Sequence, residues 1–387
     1  MKTRLLLSVA LPVILFAMSP IRMAAQEKFA FGMEHFVSAD DAFAKVSIPA
    51  TAFRDGVASA KSGISDKEAC LPPPAGNMMN GYQADFDGDG KEEMIVLYHN
   101  PAMQPACNAL VMLTPAGGGT FDLLDVMLLP AGSALIRPMI TLEKGVQLYL
   151  QCTYTLPDAT PETKAYLIAS RETAMLILIS WTQKNSVVDG KKYVQDIQAA
   201  WSDVNYDKRK ELFLDCRMHQ TAPGSKLTDK NMTDHYVLTL DFLANHLRYG
   251  VYDSSGYDKV KEAEAMAKSG ERMIGREETR DDGILKIRDA LRINPFLSAT
   301  RVRLGNFFLR AGKYSDAQKT LQVAREFAPS NAKAWKLEGD TYLRLNDLQK
   351  ALEVYTKYMT LIPKNSQTMD ARQVRHNLKQ ITVWHKM

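Results

Sequence analysis

The sequence predicts an α+β multidomain protein in which an antiparallel β region precedes an α-helical repeat array. Three observations carry that expectation. Between residues 81 and 252, short apolar or alternating runs are separated by Gly, Pro, Asn and Asp, the pattern of β-strands joined by turns. Beyond Gly256 the apolar positions recur at helical spacing. Within that second half Pro295, Pro329 and Pro363 stand 34 residues apart, as expected of a helical supersecondary unit used more than once.

The chain opens with Lys2 and Arg4, an apolar run over residues 5–18, and small residues at Ala24 and Ala25. That is the layout of a secretory signal peptide, assigned here to residues 1–25. The run is shorter than the roughly 20 residues a spanning helix needs, and no second such run follows, so the expectation is an exported, periplasmic or extracellular protein without a transmembrane segment after signal cleavage. Cleavage after Ala25 puts Met23 at a position usually small, and cleavage after Ser19 puts Pro20 next, so both sites stay open. Beyond the 25-residue signal, 362 of the 387 residues are left, enough for two globular domains, and 46% apolar with 24% charged content argues against a disordered chain. From Ser298 onward 16 Lys+Arg face 7 Asp+Glu, a local +9 inside a net +4, so the first 297 residues carry −5. A basic end favours acidic partners. Export argues against nucleic acid. Four cysteines allow two disulfides, read as Cys70 with Cys107 and Cys152 with Cys216, against the alternative of free buried thiols.

Residues 26–80 read as an N-terminal cap or linker. Ser38 and Asp41 resemble a helix start before Ala42-Phe43-Ala44. The stretch 71–76, Leu-Pro-Pro-Pro-Ala-Gly, is a loop because Pro lacks a donor and disfavours helix before it.

The β region, 81–252, contains ten strand-like runs, the first at 94–98 and the last at 247–252. Ahead of the first run stands Asp85-Phe-Asp-Gly-Asp-Gly-Lys-Glu-Glu93. Asp85, Asp87, Asp89, the Lys91 carbonyl and Glu93 present oxygen at alternate positions of a tight loop, which suits a hard cation with six to eight oxygens at about 2.3–2.6 Å, namely Ca²⁺. Gly88 and Gly90 let the backbone turn back. The stretch 203–211 echoes it, with Asp203, Asn205, Asp207, the Arg209 carbonyl and Glu211 at matching positions before another strand. An EF-hand is excluded for the first loop, since Val96 stands where its bidentate Glu is required.

These two stretches resemble the FG-GAP and VCBS-type repeats of integrin-α-like β-propellers, whose blades carry an Asp-x-Asp-x-Asp-Gly-x-x-Asp/Glu calcium loop. The resemblance implies a structural Ca²⁺ at the first loop, and propeller-like hairpins forming an incomplete or small β-propeller. The second loop departs from the pattern: Lys208 replaces the turn-easing Gly, and Lys208, Arg209 and Lys210 bring three cations to the site, which weakens metal binding.

In the helical region, 257–387, the 34-residue step joins Gly305 to Gly339, Phe308 to Tyr342, Ala317 to Ala351 and Leu321 to Tyr355. Small residues let paired helices approach, large ones fill the seam, and Pro ends the second helix. This region resembles tetratricopeptide (TPR) proteins, with a degenerate repeat at 257–273 and 280–293, fuller repeats at 298–331 and 332–365, and a capping helix at 367–384. Arg301 stands where the first-helix Trp is expected, and Glu338 replaces a Leu. The resemblance implies a TPR solenoid whose inner face, including Val302, Asn306, Leu309, Arg310, Lys333, Lys336, Asp340, Leu343 and Arg344, receives a protein partner. Its basic character points to an acidic or carboxylate-bearing peptide.

The seven histidines are scattered, and no His-Glu-x-x-His, Gly-x-Ser-x-Gly or Walker-type motif occurs. The reading is therefore a non-enzymatic binding or scaffold protein with a calcium-stabilised β domain and a TPR unit. The alternative is a hydrolase, or a glycan-processing or glycan-binding accessory protein, with its site in the β-domain loops.

Overall fold

In the computed structural model the described strands pair antiparallel with their neighbours in sequence, giving two meandering sheets. The structure describes residues 43–49, 78–100, 107–118, 120–130, 132–139, 146–156, 159–171, 174–207, 209–243 and 248–384. The expected signal peptide, the helix start at Ser38 and Asp41, the loop at 71–76, Cys70 and Lys208 lie outside these residues. The first sheet is β1 (Ala44–Pro49), β2 (Met78–Ala84), β3 (Glu93–Asn100), β4 (Cys107–Gly117) and β5 (Thr120–Leu129). The second holds β6 (Ser133–Met139), β7 (Gln147–Thr155), β8 (Pro161–Arg171), β9 (Ala174–Val188), β10 (Lys191–Ser202), β11 (Glu211–Thr221), β12 (Met232–Leu243) and β13 (Arg248–Ser255).

Each of the ten expected runs marks a strand, while β1, β2 and β6 lie outside them. Their sequences carry residues that normally interrupt a strand. Gly81 sits inside β2 because a Cβ there would lie 1.9 Å from the Ile95 carbonyl oxygen. Pro138 in β6 and Pro49 in β1 are on outermost strands of their sheets, where a missing N–H costs no ladder bond. The β unit thus starts inside the segment expected to be a cap, since β1 pairs with β2 from Ala44 to Pro49.

The eight-stranded sheet is continuous only through its central hairpin. β9 and β10 pair over four residues at its tip, from Lys191↔Val188 to Val194↔Asn185, and then diverge. Between the diverging halves lies a core of Tyr149, Leu167, Leu178 and Trp181 from β7–β9 against Ile197, Trp201, Leu212, Leu214 and Tyr249 from β10–β13. The other face of β7 and β8, with Leu148, Leu150, Cys152 and Ile168, packs on Ile95, Leu110 and Met112 of the first sheet. β7 and β8 in the middle layer are therefore buried on both faces, which explains the uninterrupted burial of residues 147–152 and 165–170 where a half-exposed strand would alternate. Cys152 faces the first sheet and Cys216 faces the opposite core, and both are free thiols. The expected Cys152–Cys216 disulfide is thus overturned, because the two side chains belong to different cores.

Seven helices follow: α1 (Tyr257–Met273), α2 (Arg280–Ile293), α3 (Ser298–Arg310), α4 (Tyr314–Phe327), α5 (Ala332–Arg344), α6 (Leu348–Leu361) and α7 (Met369–Trp384). They pack as successive antiparallel pairs, with α3 also touching both α1 and α5. Gly305 and Gly339 do what their spacing predicts. A Cβ at either would fall 2.6 Å from Leu321 or 2.5 Å from Tyr355 of the paired helix. Among the described residues no helix is long and apolar enough to cross a membrane.

Candidate functional site

The first acidic loop joins β2 to β3 and is held by its own backbone. Gly88 and Gly90 N–H donate to Asp85, Asp89 N–H donates to Asp87, and Lys91 N–H donates to Asp89, at 2.7–3.0 Å. Gly88 and Gly90 adopt φ of 80° and 88°, open to Gly and strained for other residues. These turns gather the carboxylate oxygens of Asp85, Asp87 and Asp89 within 4.8 Å of one another. Below them Glu93 is buried and accepts the Phe86 N–H at 3.0 Å. Burial raises the Glu93 pKa; the Phe86 N–H opposes that, and the charges of Asp87, Asp89 and Asp85 add to it. Asp89, on the surface, is held below its usual range, chiefly by the Lys91 N–H and further by the Lys91 ammonium. Four carboxyl groups in so small a volume repel one another, and the three upper ones form a donor set that fits a hard cation.

The second loop, between β10 and β11, repeats the same frame. Val204 N–H donates to Glu211, Asp207 N–H to Asn205, and Arg209 N–H to Asp207, each the counterpart of a bond in the first loop. Its interior differs. Asn205 Nδ2 donates to Glu211 Oε1 at 2.9 Å and to Asp207 Oδ2 at 3.2 Å. Tyr206 takes the place of Gly88 and keeps a left-handed φ of 63°. Glu211 is buried, and burial is the main reason its pKa is pushed up to about 7.

The surroundings of the two loops differ further. The second lies against α4 of the repeats. Ser202 Oγ donates to Glu326 at 2.6 Å, Lys210 Nζ pairs with the same carboxylate at 3.3 Å, and Gln198 Nε2 donates to the Phe327 carbonyl at 3.1 Å. Phe327 is buried between Phe213 of β11 and Phe296, each with ring centroids 5.1 Å away, and Ala200 and Val323 complete the seal. Lys319 of α4 sits 5.2 Å from the Tyr206 ring centre. Arg301 fills the expected Trp position functionally: it donates to the Pro295 carbonyl at 3.3 Å, the bond that Trp335 makes to Pro329 one repeat later at 2.7 Å. Its guanidinium stacks 5.4 Å from the Phe327 ring centre. Glu338, the other departure, is buried and ion-paired with Arg325 at 2.8 Å.

On the inner side of the helices the expected groove residues separate into three groups. Val302 is core, packed in the cluster with Ala334 and Leu337, and is removed from the groove. Lys336 is half-buried and already paired, with Asp340 at 2.7 Å and with Asp370 of α7 at 3.6 Å; burial opposes its charge, but these carboxylates outweigh it and raise its pKa. Asn306, Leu309 and Leu343 are half-buried, and Arg310, Lys333 and Arg344 are exposed and form no ion pair among the described residues. α7 closes the end of the groove, with Asn377 donating to Tyr355, which donates to Asp340.

Two of the scattered histidines come into contacts that the sequence did not reveal. Asp215 and His235 pair at 2.5 Å across β11 and β12, with Arg217 on the other Asp215 oxygen at 2.6 Å. His219 meets Asn231 at 3.1 Å. Only strand register joins them, since Arg217 stands directly opposite His235.

A family model for the tetratricopeptide repeat matches residues 302–366. No curated protein matches the chain. Similar solved structures include the first TPR of Spaghetti (RPAP3) bound to the HSP90 peptide SRMEEVD, at 16% identity over 33% of this chain and 96% of that one, with a TM-score of 0.29. The Sgt2 TPR domain from Aspergillus fumigatus gives 19% identity over 32% and 80%, with a TM-score of 0.28. The TPR2B domain of yeast Sti1 in complex with an Hsp70 peptide gives 12% over 33% and 99%, with a TM-score of 0.27. Residues 302–366 span α3 to α6, the two fuller repeats with their prolines in register.

Proposed function

We propose that the protein is an exported, non-enzymatic scaffold in which a calcium-stabilised β unit carries a TPR groove that binds an acidic segment of another protein. The single observation that carries the binding role is the division of the helical surface. The side formed by α4 is committed to β10, β11 and the second loop. The inner side keeps Arg310, Lys333 and Arg344 exposed beside the half-buried Leu309 and Leu343. Guanidinium and ammonium groups next to apolar surface hold carboxylates through charge-assisted bonds. Lys336, shielded by Asp340 and Asp370, contributes shape more than charge.

The calcium role rests on the gathered oxygens of Asp85, Asp87 and Asp89 at the end of β2, and is confined to that loop. Three four-stranded meanders, β2–β5, β6–β9 and β10–β13, with an acidic loop at the first hairpin of the first and third, support the kinship with FG-GAP and VCBS-type repeats and the reading as an incomplete propeller. The ion would tie the hairpin turn and neutralise its carboxylates, leaving chemistry to neither loop. Fluorescence anisotropy with a peptide ending in acidic residues and a free carboxylate tests the groove. Wild type binds it, and Lys333→Glu with Arg344→Glu abolishes binding; equal affinity of both proteins would sink the proposal.

A further inference from the structure

We propose that the second acidic loop has exchanged its cation for a contact within the chain and works as a metal-independent latch that fixes the TPR array against the β unit. This goes beyond the calcium reading of the first loop and does not depend on it. The exchange is visible atom by atom. In the first loop the third position is Asp87, which can only accept. In the second it is Asn205, whose NH₂ points inward and donates to Asp207 and Glu211. An amide donor thus faces two of the carboxyl groups that a cation would otherwise draw together, and supplies hydrogen bonds to both.

The outward half of the loop is rebuilt for α4. Tyr206 keeps a left-handed backbone where the first loop has Gly88, a conformation an aromatic residue adopts only when its surroundings hold it there. Its ring, still partly open to solvent, meets Lys319; burial raises its hydroxyl pKa, which Arg301 opposes and Asp203 and Glu326 reinforce. Glu326 is the hub on the helical side: it accepts from Ser202 just before the loop and from Lys210 near its end, and it lies near the buried guanidinium of Arg301. A carboxylate that receives a hydroxyl and an ammonium from both ends of one loop reads the position of that loop. Beneath this polar ring Phe213, Phe296 and Phe327 exclude water, as an interface core does. Asn205 and Tyr206, which stand where the first loop has Asp87 and Gly88, thus lie at the same joint as Arg301.

The test uses the full-length mature chain with calcium as the only added ligand. Tyr206→Gly removes the ring while relaxing the backbone, so a merely strained Tyr would leave the variant more stable and otherwise unchanged. The latch predicts instead that proteinase K cleavage in the joint around residues 253–256 rises roughly tenfold, as about 1.4 kcal/mol of lost contact gives. Small-angle scattering should show a larger radius of gyration, and neither calcium nor chelator should reverse either change. Glu326→Ala is the second variant and should behave alike. In calorimetry Asp207→Ala should leave the calcium stoichiometry of wild type untouched. Unchanged cleavage and scattering in both variants, or a calcium equivalent lost in Asp207→Ala, would overturn the latch. Failure of the first-loop reading is separate: calcium then gives no heat in wild type, while cleavage and scattering still report on the latch.

Discussion

The two acidic loops share a hydrogen-bond frame and differ in what satisfies them. In the first, backbone N–H groups fix three aspartates close together, and among the described residues no hydrogen bond ties the loop to the helices. In the second, the Asn205 amide donates to Asp207 and Glu211, and Glu326 of α4 accepts from Ser202 beside the loop. In the proposed reading, the first turn, which only has to close, can take an ion. A turn that also joins two domains is better served by side chains, because these are set by the fold and do not vary with ion concentration.

The contrast can be broken at several points. Phe327→Ala should have the largest effect, costing about 3–5 kcal/mol as expected for a buried aromatic, and calorimetry should show separate β and helical unfolding steps where wild type is expected to unfold in one. The matching change at the first loop is smaller. With a dissociation constant of roughly 10⁻³ M, about 10 mM calcium would stabilise the wild type by about 1.4 kcal/mol, seen as a rise in melting temperature that chelator removes. Asp87→Ala should abolish this response and Asp207→Ala should retain it; an identical melt of wild type with calcium and chelator refutes the ion. Gly88→Ala should cost about 1–2 kcal/mol for the left-handed φ without metal, measured by urea midpoint, and its cost should grow when calcium is present if the turn orders the ligands.

The finest contrast is in pH. Glu211 has a folded pKa of about 7 against 4.5 for an ordinary Glu, so between these values the native state holds a proton that the unfolded chain has released. Its contribution to stability is full below pH 4.5 and is lost as pH rises through 7. Urea midpoints in chelator at pH 5 and pH 8 should fall more steeply for wild type than for Glu211→Gln, and parallel slopes would show that burial of this carboxyl does not govern the loop.

Much of the helical half was legible in advance. Residues 257–273 and 280–293 coincide with α1 and α2, and the proline register placed α3 to α6, because helix pairs in a solenoid contact chiefly their sequence neighbours. The β half was legible as strands but not as layers. Gly81, Pro138 and Pro49 hid three strands, since close backbone approach and edge position are properties of the sheet. The disulfide expectation for Cys152 and Cys216 failed for the same reason: alternation along a strand assigns a residue to a face, and only packing decides which core that face joins. The inner-face position of Val302 and the availability of Lys336 were lost to local packing and to Asp370, a residue of α7 that helix pattern alone does not bring there.

The sequence by itself determined the period of the repeats, the strand-rich character of the β unit and the alternation of acidic residues over 85–93, because each is a local regularity of spacing. Tertiary structure decided that the β strands form three stacked layers, that the echo at 203–211 meets Glu326 and Phe327 more than a hundred residues away, and that Arg301 replaces Trp in a contact with Pro295. Such choices depend on which surfaces exclude water together, and that is settled only when separately encoded faces close on one another.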